Sequence, residues 1–310
     1  MNCLITGAGG FVGKSLCAAL PMRGMVVRVA MRTLTDRTDH FEGVAVGAIN
    51  SETDWFEALR SIDTVLHLAA RVHVMHDNSA DPLAAFRVVN VDGTLNLARQ
   101  AAAAGVKRFV FISSVKVNGE HTAPGHAFSE TDLPHPQDAY GVSKHEAEQG
   151  LRDLAERSGM DVVIIRPPLV YGPGVKANFA ALMHAVHRGW PLPLGAIHNQ
   201  RSLVALDNLV DFIITCINQP QAANQIFLVS DGHDLSTSQL VRGMARAAGV
   251  PARLLPVPVW ALQAVGGLLG RRDAVQRLCG NLQVDISKAR ELLGWVPPVS
   301  VDEGLRRAMQ

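Results

Sequence analysis

Short apolar runs alternate along the first half of the chain with longer stretches in which apolar residues recur at helical spacing. The runs expected to form strands are residues 2–6, 26–31, 64–68, 109–113 and 162–166. The stretches expected to form helices are residues 12–20, 55–59, 86–104 and 140–158. Strands that alternate with helices are typical of a parallel sheet covered on both faces. The pattern therefore predicts an α/β fold built on a doubly wound parallel sheet.

The second half of the chain has a different character, because prolines and glycines become frequent after Arg166. Such a composition indicates long loops, which are suited to cover a bound substrate. The apolar run 225–229 is typical of another buried strand, so we expect the chain to return to the first sheet. The apolar stretch 254–270 contains Pro256 and Pro258 and is short for a bilayer span. We interpret it as a buried helix, with contact to a membrane surface as the alternative.

The charge balance and the cysteines narrow the functional classes. The 310 residues include 29 basic and 28 acidic side chains, so no net field would recruit nucleic acid or an anionic membrane. A bound phosphate must therefore be held by local groups. The four cysteines are widely separated, and the chain opens on a strand without the pattern of a secretory signal. We expect a cytoplasmic protein without a membrane span or a nucleic-acid partner.

Three glycines follow the first predicted strand at a spacing of three residues. Gly7, Gly10 and Gly13 lie where the strand ends and a helix begins. Glycines at these places tighten the turn, let the backbone approach a pyrophosphate and let the helix pack closely on the strand. The N-terminus of the helix then faces the phosphates. The sequence therefore predicts a dinucleotide site that includes Phe11 and Val12 of the first helical turn.

The glycine motif assigns roles to the two halves of the chain. Residues 1–166, with a returning strand near 225–230, are predicted to form a dinucleotide-binding domain with a Rossmann sheet. Residues 167–310 are predicted to form mainly a smaller, interleaved C-terminal substrate-binding domain.

The residue after the second predicted strand bears on the choice between NAD and NADP. In dinucleotide-binding folds an acidic residue at this place accepts the ribose 2′-hydroxyl of NAD. Here Met31 is followed by Arg32, whose guanidinium is able to pair with a 2′-phosphate. We therefore predict a preference for NADP(H), with NAD(H) as the alternative and Arg32 as the principal contact. Arg28 and Arg37 are alternative cationic contacts, whereas Asp36 would favour NAD.

Two hydroxyl residues and a lysine form a candidate catalytic group. Ser114 follows an apolar strand, and Tyr140 and Lys144 lie four residues apart, on one face of a predicted helix. A lysine ammonium one turn from the phenol would lower the tyrosine pKa from about 10 toward the working pH. The phenol would then exchange a proton with a substrate oxygen. The Ser114 hydroxyl would bind the same oxygen and orient it for hydride transfer.

With these motifs in this order, the chain resembles the extended short-chain dehydrogenase/reductase family. That family contains nucleotide-sugar epimerases, 4,6-dehydratases and 4-ketoreductases. The similarity extends over almost the whole chain, and the segments that carry it, besides the glycine loop, are residues 63–70, 90–94, 140–144, 166–174, 285–289 and 292–295.

The resemblance implies roles for particular residues. Ser114, Tyr140 and Lys144 would be the catalytic trio, and Lys144 would also hold the nicotinamide ribose. Asn90 would help to organise the site. The residues implied to border the cofactor are Leu68, Ala69 and Ala70.

Three departures from the family pattern carry information. Family dehydratases have an Asp-Glu pair directly after the catalytic hydroxyl residue, and this chain has Val115 and Lys116. Because valine cannot transfer a proton, 4,6-dehydration is not expected. A tyrosine common four residues after the catalytic serine is replaced by Asn118, and a glycine-aspartate pair that often contacts adenine is replaced by Gly47 and Ala48.

The resemblance places a nucleoside diphosphate sugar against the second half of the chain. An amide and a guanidinium on flanking loops suit a diphosphate, which makes Asn178 and Arg201 candidates. Leu192 lies in a Trp-Pro-Leu-Pro-Leu segment expected to lie against the base. Arg71 and His73 follow a strand end that borders the sugar in relatives, and they are candidate sugar contacts. No cysteine or carboxylate cluster accompanies the histidines there, so we do not expect a metal site.

Three activities are compatible with these motifs. An epimerase recycles hydride on a tightly held cofactor, typically NAD, whereas a reductase exchanges NADP(H), so Arg32 favours reduction. Residues 67–73 and 173–179 also resemble bacterial O-antigen enzymes that reduce UDP-4-keto-6-deoxy-N-acetylhexosamines. We therefore predict NADPH-dependent reduction of the C4 ketone of such a UDP-linked sugar. The alternatives are an NAD-dependent UDP-sugar 4-epimerase and a non-catalytic cofactor sensor. The resemblance implies a homodimer; the two long predicted helices would supply its face, with a pure core role as the alternative.

Overall fold

A computed structural model describes residues 1–34, 41–72 and 81–310. The strands within these residues are β1 Asn2–Thr6, β2 Val26–Met31, β3 Glu42–Ala45, β4 Thr64–His67, β5 Arg108–Ile112, β6 Asp161–Arg166, β7 Leu169–Tyr171, β8 Leu203–Ala205 and β9 Ile226–Leu228. Seven of them form a parallel sheet in the order β3-β2-β1-β4-β5-β6-β9, and β7 pairs with β8 in a second sheet. The predicted α/β fold with a doubly wound parallel sheet is confirmed.

The helices of the described residues are α1 Phe11–Met22, α2 Phe56–Leu59, α3 Pro82–Arg87, α4 Thr94–Ala103, α5 Ala139–Ser158, α6 Ala177–His187, α7 Leu206–Asn218, α8 Thr237–Ala248, α9 Val259–Leu268, α10 Arg272–Cys279, α11 Ser287–Leu293 and α12 Val301–Ala308. The single helix expected over residues 86–104 is interrupted, because a π-helical turn, Val88–Gly93, joins α3 to α4. A π turn inserts one extra residue into a helix and often marks a functional site.

The two faces of the large sheet pack into separate cores, because successive strand residues point to opposite faces. In β1, Cys3 and Ile5 pack in one core with residues of α1 and α7, whereas Leu4 packs in the other core with residues of α4 and α5. A third core surrounds the small sheet and includes residues of α8 and α12. The assignment of residues 167–310 mainly to substrate binding stays a prediction.

The strand order reverses between β1 and β4. From β1 the chain proceeds to β2 and β3 on one side and then crosses to β4 on the other. The crossovers leave a crevice at the carboxyl ends of β1 and β4, where doubly wound folds bind their ligands. The glycine loop, the residues after β4 and Ser114 after β5 all lie at this carboxyl edge.

The interpretation of residues 254–270 as a buried helix is wrong. The segment forms α9, in which only Gly266 is buried. Trp260 and Leu268 are among the most exposed apolar side chains of the described residues. Apolar residues occur on every face of α9, and this composition predicted burial. In the fold, however, only one face of the helix packs against other residues. Among the described residues, no helix has both the length and the apolar character needed to cross a bilayer.

Candidate active site

The glycine loop joins β1 to α1 and lies tightly against the end of β4. Gly7 has a φ of 73°, and a Cβ there would lie 2.7 Å from the backbone nitrogen of Ala69. A Cβ on Gly13 would overlap the carbonyl oxygen of Gly7. Gly10 begins α1 without a side-chain cap, so no side chain satisfies the first N–H groups of the helix. The loop therefore offers backbone N–H groups, with no Cβ at Gly7, Gly9 and Gly10, which fits a dinucleotide pyrophosphate.

A buried histidine holds the end of β4 to β1 beside the glycine loop. The His67 ring nitrogens lie 2.7 Å from Thr6 Oγ1 and 2.9 Å from Thr94 Oγ1. Burial lowers the pKa of His67 to about 3, so the ring is neutral. Thr6 Oγ1 also accepts a hydrogen bond of 3.2 Å from the backbone nitrogen of Ala69. The half-buried residues of this edge that were predicted to contact the cofactor are Phe11, Val12, Leu68, Ala69 and Ala70.

Arg32 is exposed and follows β2 directly, at the same edge as the glycine loop. Arg28, weighed as an alternative contact, instead donates to backbone carbonyl groups and pairs with Glu42 at 2.8 Å. Its guanidinium is therefore occupied by the protein. Asp36 and Arg37 lie outside the described residues.

The structure brings Tyr140 and Lys144 together beside the end of β5. Lys144 Nζ lies 6.0 Å from the centroid of the Tyr140 ring and 4.3 Å from that of Phe111. It also donates a hydrogen bond of 2.8 Å to the carbonyl oxygen of Ile112, two residues before Ser114. The three candidate catalytic residues are thus placed by two neighbouring elements, α5 and the end of β5.

The protonation of this pair differs from the sequence-based expectation. Burial raises the pKa of Tyr140, and the Asp138 carboxylate raises it further. Burial also lowers the pKa of Lys144 to about 7, an effect that the Glu148 carboxylate opposes. The expectation that Lys144 lowers the pKa of Tyr140 is therefore wrong for the protein without bound ligands. Burial and the Asp138 carboxylate raise that pKa, and they outweigh the effect of the Lys144 ammonium near the ring face. The phenol holds its proton, and the lysine is able to change charge near neutral pH.

Lys116 connects the Ser114 turn to the N-terminus of α5. Ser114 Oγ accepts a hydrogen bond of 3.2 Å from the backbone nitrogen of Lys116. The Lys116 ammonium forms ion pairs with Asp138 and, at 2.7 Å, with Glu120. Asp138 in turn caps α5 by accepting a hydrogen bond of 2.7 Å from the backbone nitrogen of Gly141. Lys116, which replaces an acid of the dehydratases, therefore connects the two elements that carry the candidate catalytic residues.

Asn90, in the π turn, connects the loop after β4 to the catalytic helix. Its amide exchanges hydrogen bonds of 2.8 and 3.0 Å with the backbone of Arg71 and donates at 2.9 Å to Ser143 Oγ. Ser143 Oγ donates at 2.8 Å to the carbonyl oxygen of Tyr140. The Arg71 guanidinium lies 5.6 Å from the Phe86 ring, whose centroid is 6.1 Å from that of Tyr140. Arg71 is thus near the catalytic helix.

Sequence reasoning missed a buried polar cluster beside the candidate catalytic residues. Arg166 Nε donates to Glu148 at 3.0 Å, and Ser113 Oγ donates to the same carboxylate. Arg166 Nη1 also donates at 3.0 Å to Asn118 Oδ1. The sequence could have indicated this cluster, because Glu148 follows Lys144 by four residues and therefore lies on the same face of the predicted helix. Asn118, seen only as a departure from the family, is a partner of this cluster.

Three of the candidate substrate residues, Asn178, Leu192 and Arg201, belong to the second half of the chain. Asn178 is exposed at the second position of α6. Leu192 is half-buried, and its segment pairs with Leu254. Arg201 Nη1 donates at 3.1 Å to the carbonyl oxygen of Gly280, and burial lowers the pKa of its guanidinium. His73 lies outside the described residues. The roles of these four candidate residues stay predictions.

Comparison with known proteins defines the family. Residues 3–230 match the NAD dependent epimerase/dehydratase family. The chain belongs to this family. A Vibrio cholerae protein named UDP-glucose 4-epimerase is 52% identical over 99% of this chain and 94% of its own length.

Two further relatives complete the comparison. An Escherichia coli O157:H7 protein named N-acetyl-alpha-D-glucosaminyl-diphospho-ditrans,octacis-undecaprenol 4-epimerase is 28% identical over 100% of this chain and 94% of its own. The crystal structure of UDP-glucuronic acid 4-epimerase from Bacillus cereus, in complex with NAD, aligns with a TM-score of 0.79 at 23% identity and covers 100% of this chain and 95% of that one. At that identity the likeness shows the fold alone.

These findings confirm a nicotinamide-dependent enzyme of the extended short-chain dehydrogenase/reductase family. The prediction of a C4 ketoreductase is wrong, because the relative that is 52% identical over nearly the full length is a 4-epimerase. The matched family is described as NAD dependent, and this match lends no support to the predicted preference for NADP. The NADP expectation depended on Arg32, one exposed side chain at the edge of the site. The ketoreductase expectation depended on Arg32 and on the resemblance of residues 67–73 and 173–179 to 4-ketoreductases.

Proposed function

We propose that this chain is an NAD-dependent 4-epimerase of a UDP-hexose. The observation that carries the proposal is the identity of 52% over nearly the full length of a UDP-glucose 4-epimerase. The arrangement of Ser114, Tyr140 and Lys144 at the carboxyl edge of the sheet is consistent with it. UDP and NAD remain part of the proposal and are tested with it.

The proposed reaction inverts C4 by oxidation and reduction of the same carbon. When bound, NAD supplies the acceptor that takes the C4 hydride and returns it to the opposite face. The Ser114 hydroxyl would orient the C4 oxygen, and Tyr140 would exchange the hydroxyl proton with it. Because burial lowers the pKa of Lys144 to about 7, the Tyr140–Lys144 pair is able to take up this proton and give it back at neutral pH. Proton and hydride both return, so no net oxidation occurs.

The substrate would lie across the crevice between the two halves of the chain. Asn178 and Arg201 would bind the diphosphate, and the half-buried Leu192 would pack against the base. Arg71, close to the catalytic helix through Phe86, would contact the sugar, and His73 is a second candidate there. A cytoplasmic location and a homodimer stay predictions.

The test is an epimerisation assay with a matched pair of tyrosine variants. UDP-galactose and UDP-N-acetylgalactosamine are each incubated with the protein and NAD, and inversion at C4 is followed by NMR. Tyr140→Phe should lose roughly 10²- to 10⁴-fold in turnover. The chain has two tyrosines, so Tyr171→Phe is the control. Tyr171 packs in the third core, and its hydroxyl donates to Asp231. Folded Tyr171→Phe protein should therefore retain turnover.

The cofactor is tested in the same assay. NAD should support inversion and NADP should not, and Arg32→Ala should leave the NAD-dependent rate unchanged. Absence of inversion with either sugar in the presence of NAD, or full turnover by Tyr140→Phe, would refute the proposal.

A further inference from the structure

An apolar surface on α9 lies outside the machinery of the proposed reaction. Trp260 and Leu268 are 73% and 88% exposed, and with Ala264 they form one stripe at a spacing of four residues. Val265 and Leu269, 55% and 67% exposed, widen it. Isolated exposed apolar residues are ordinary, but a contiguous set of large ones marks an interaction surface.

The other side of α9 is already in contact with the protein. Val259 and Leu262 pack against the third core, and a Cβ on Gly266 would collide with Val275 of α10. The helix therefore cannot turn its outer stripe inward without losing these contacts. We call the outer residues Trp260, Ala264, Val265, Leu268 and Leu269 the α9 face.

Exposed arginines flank the α9 face in the sequence. Arg271 and Arg272 are exposed directly after its last residues, and Arg253 and Arg277 are exposed on either side of α9 in sequence. Residues 251–280 carry four arginines and a single acidic residue, whereas the whole chain has a formal net charge of +1. The positive charge of this region is therefore local, and it accompanies the exposed apolar side chains.

We infer that the α9 face and its arginines bind the surface of an anionic phospholipid bilayer. A helix of ten residues is about 15 Å long, so it is too short to cross the hydrocarbon and would lie in the interface. Exposed tryptophan and leucine on one helix face, with arginines in the adjoining segments, combine the apolar and cationic groups with which proteins bind a membrane interface. A symmetric pairing of two copies through this face would bring the same arginines together, and like charges oppose it.

The α9 face is connected to the candidate substrate loop. The backbone nitrogen of Leu192 donates at 2.8 Å to the Arg253 carbonyl oxygen, and that of Leu255 donates at 2.8 Å to the Leu192 carbonyl oxygen. Leu255, half exposed, precedes α9 in the same segment. Binding to a bilayer would therefore hold the substrate loop close to the membrane surface. This inference does not depend on which reaction the site performs.

Flotation with vesicles tests the apolar part of the inference. The full chain is mixed with vesicles of equal parts phosphatidylethanolamine and phosphatidylglycerol, and separately with phosphatidylcholine vesicles. It should float with the anionic vesicles and bind phosphatidylcholine more weakly. The double variant Trp260→Ser, Leu268→Ser should lose on the order of a hundredfold in affinity. Phe56→Ser removes an apolar residue that is 68% exposed on α2, and it should bind like the wild type.

The charged part is tested by a second double variant and by sedimentation. Arg271→Gln, Arg272→Gln should weaken binding to anionic vesicles roughly thirtyfold, and added salt should weaken the wild type in the same direction. Failure of the wild type to float with anionic vesicles would overturn the inference. It would also be overturned if the wild type were a dimer that Trp260→Ser, Leu268→Ser converts to a monomer without any vesicle binding, since the face would then join two copies.

Discussion

Burial of the Lys144 ammonium should lower the free energy of unfolding of the protein. Lys144 is 1% exposed, and burial lowers its pKa to about 7 from an ordinary 10.5. Methionine has a similar length and carries no charge. We therefore predict that Lys144→Met raises the free energy of unfolding at pH 7, although it removes a candidate catalytic residue.

The magnitude follows from the linkage between protonation and folding. Between pH 7 and 10.5 the unfolded chain keeps a proton that the folded chain releases from this amine, so wild-type stability rises with pH in that window. At about 1.4 kcal/mol for each pKa unit, the rise amounts to roughly 3–5 kcal/mol. The variant leaves the Ile112 carbonyl oxygen without its donor at 2.8 Å, which costs about 1–3 kcal/mol. The net stabilisation at pH 7 is therefore roughly 1–3 kcal/mol.

Urea unfolding of the cofactor-free proteins measures this effect, because bound nucleotide would stabilise the folded state by itself. Lys144→Met should be more stable than the wild type near pH 7, and its advantage should disappear near pH 10.5. Lys107→Met removes an exposed lysine and should show no such pH-dependent difference. A Lys144→Met protein that is less stable than the wild type by the same amount at both pH values would refute the reasoning.

Three further predictions concern residues around the site. Glu148→Gln leaves Arg166 buried without its carboxylate and should lower the free energy of unfolding by roughly 3–5 kcal/mol, measured by thermal unfolding. The double variant Glu148→Met, Arg166→Met should recover most of that loss. Equal losses in the two proteins would contradict this account of the ion pair. Gly13→Ala should abolish NAD binding in a calorimetric titration, because its Cβ overlaps the Gly7 carbonyl oxygen, and unchanged affinity would mean that the loop is not the dinucleotide site. Asn90→Asp removes the amide that donates to Ser143 and should lower turnover with NAD affinity retained, so an unchanged rate would exclude a positioning role.

Local pattern was sufficient for most strands of the large sheet, although it missed the edge strand β3, Glu42–Ala45. The predictions for β1 and β2 agree with the structure at both ends, because buried parallel strands are continuous apolar runs with turns at either side. The glycine spacing and the Tyr140–Lys144 spacing were also visible, since both depend on residues close together in the chain. Local pattern could not foresee the π turn at Val88–Gly93, where tertiary contacts of Asn90 accompany the extra residue.

The sequence motifs alone did not determine the reaction class. Reductases and epimerases share the same serine, tyrosine and lysine, so the choice depended on Arg32 and on the resemblance of residues 67–73 and 173–179 to 4-ketoreductases. Comparison over the whole chain overturned that choice. The candidate catalytic residues were recognisable because the chemistry proposed for them restricts their spacing. Whether the hydride returns to the same sugar or the cofactor is exchanged depends on how the whole cleft holds substrate and cofactor. A short motif contains no information about this.

The sequence by itself determined the doubly wound sheet, the glycine loop and the candidate catalytic trio, because each depends on periodicity or on spacing along the chain. Only the tertiary structure decided what surrounds those residues. Burial and Asp138 raise the pKa of Tyr140, and desolvation brings the pKa of Lys144 to about 7. The same apolar pattern that predicts burial for 254–270 leaves α9 exposed, because burial is a property of the neighbours that the fold provides and not of the segment.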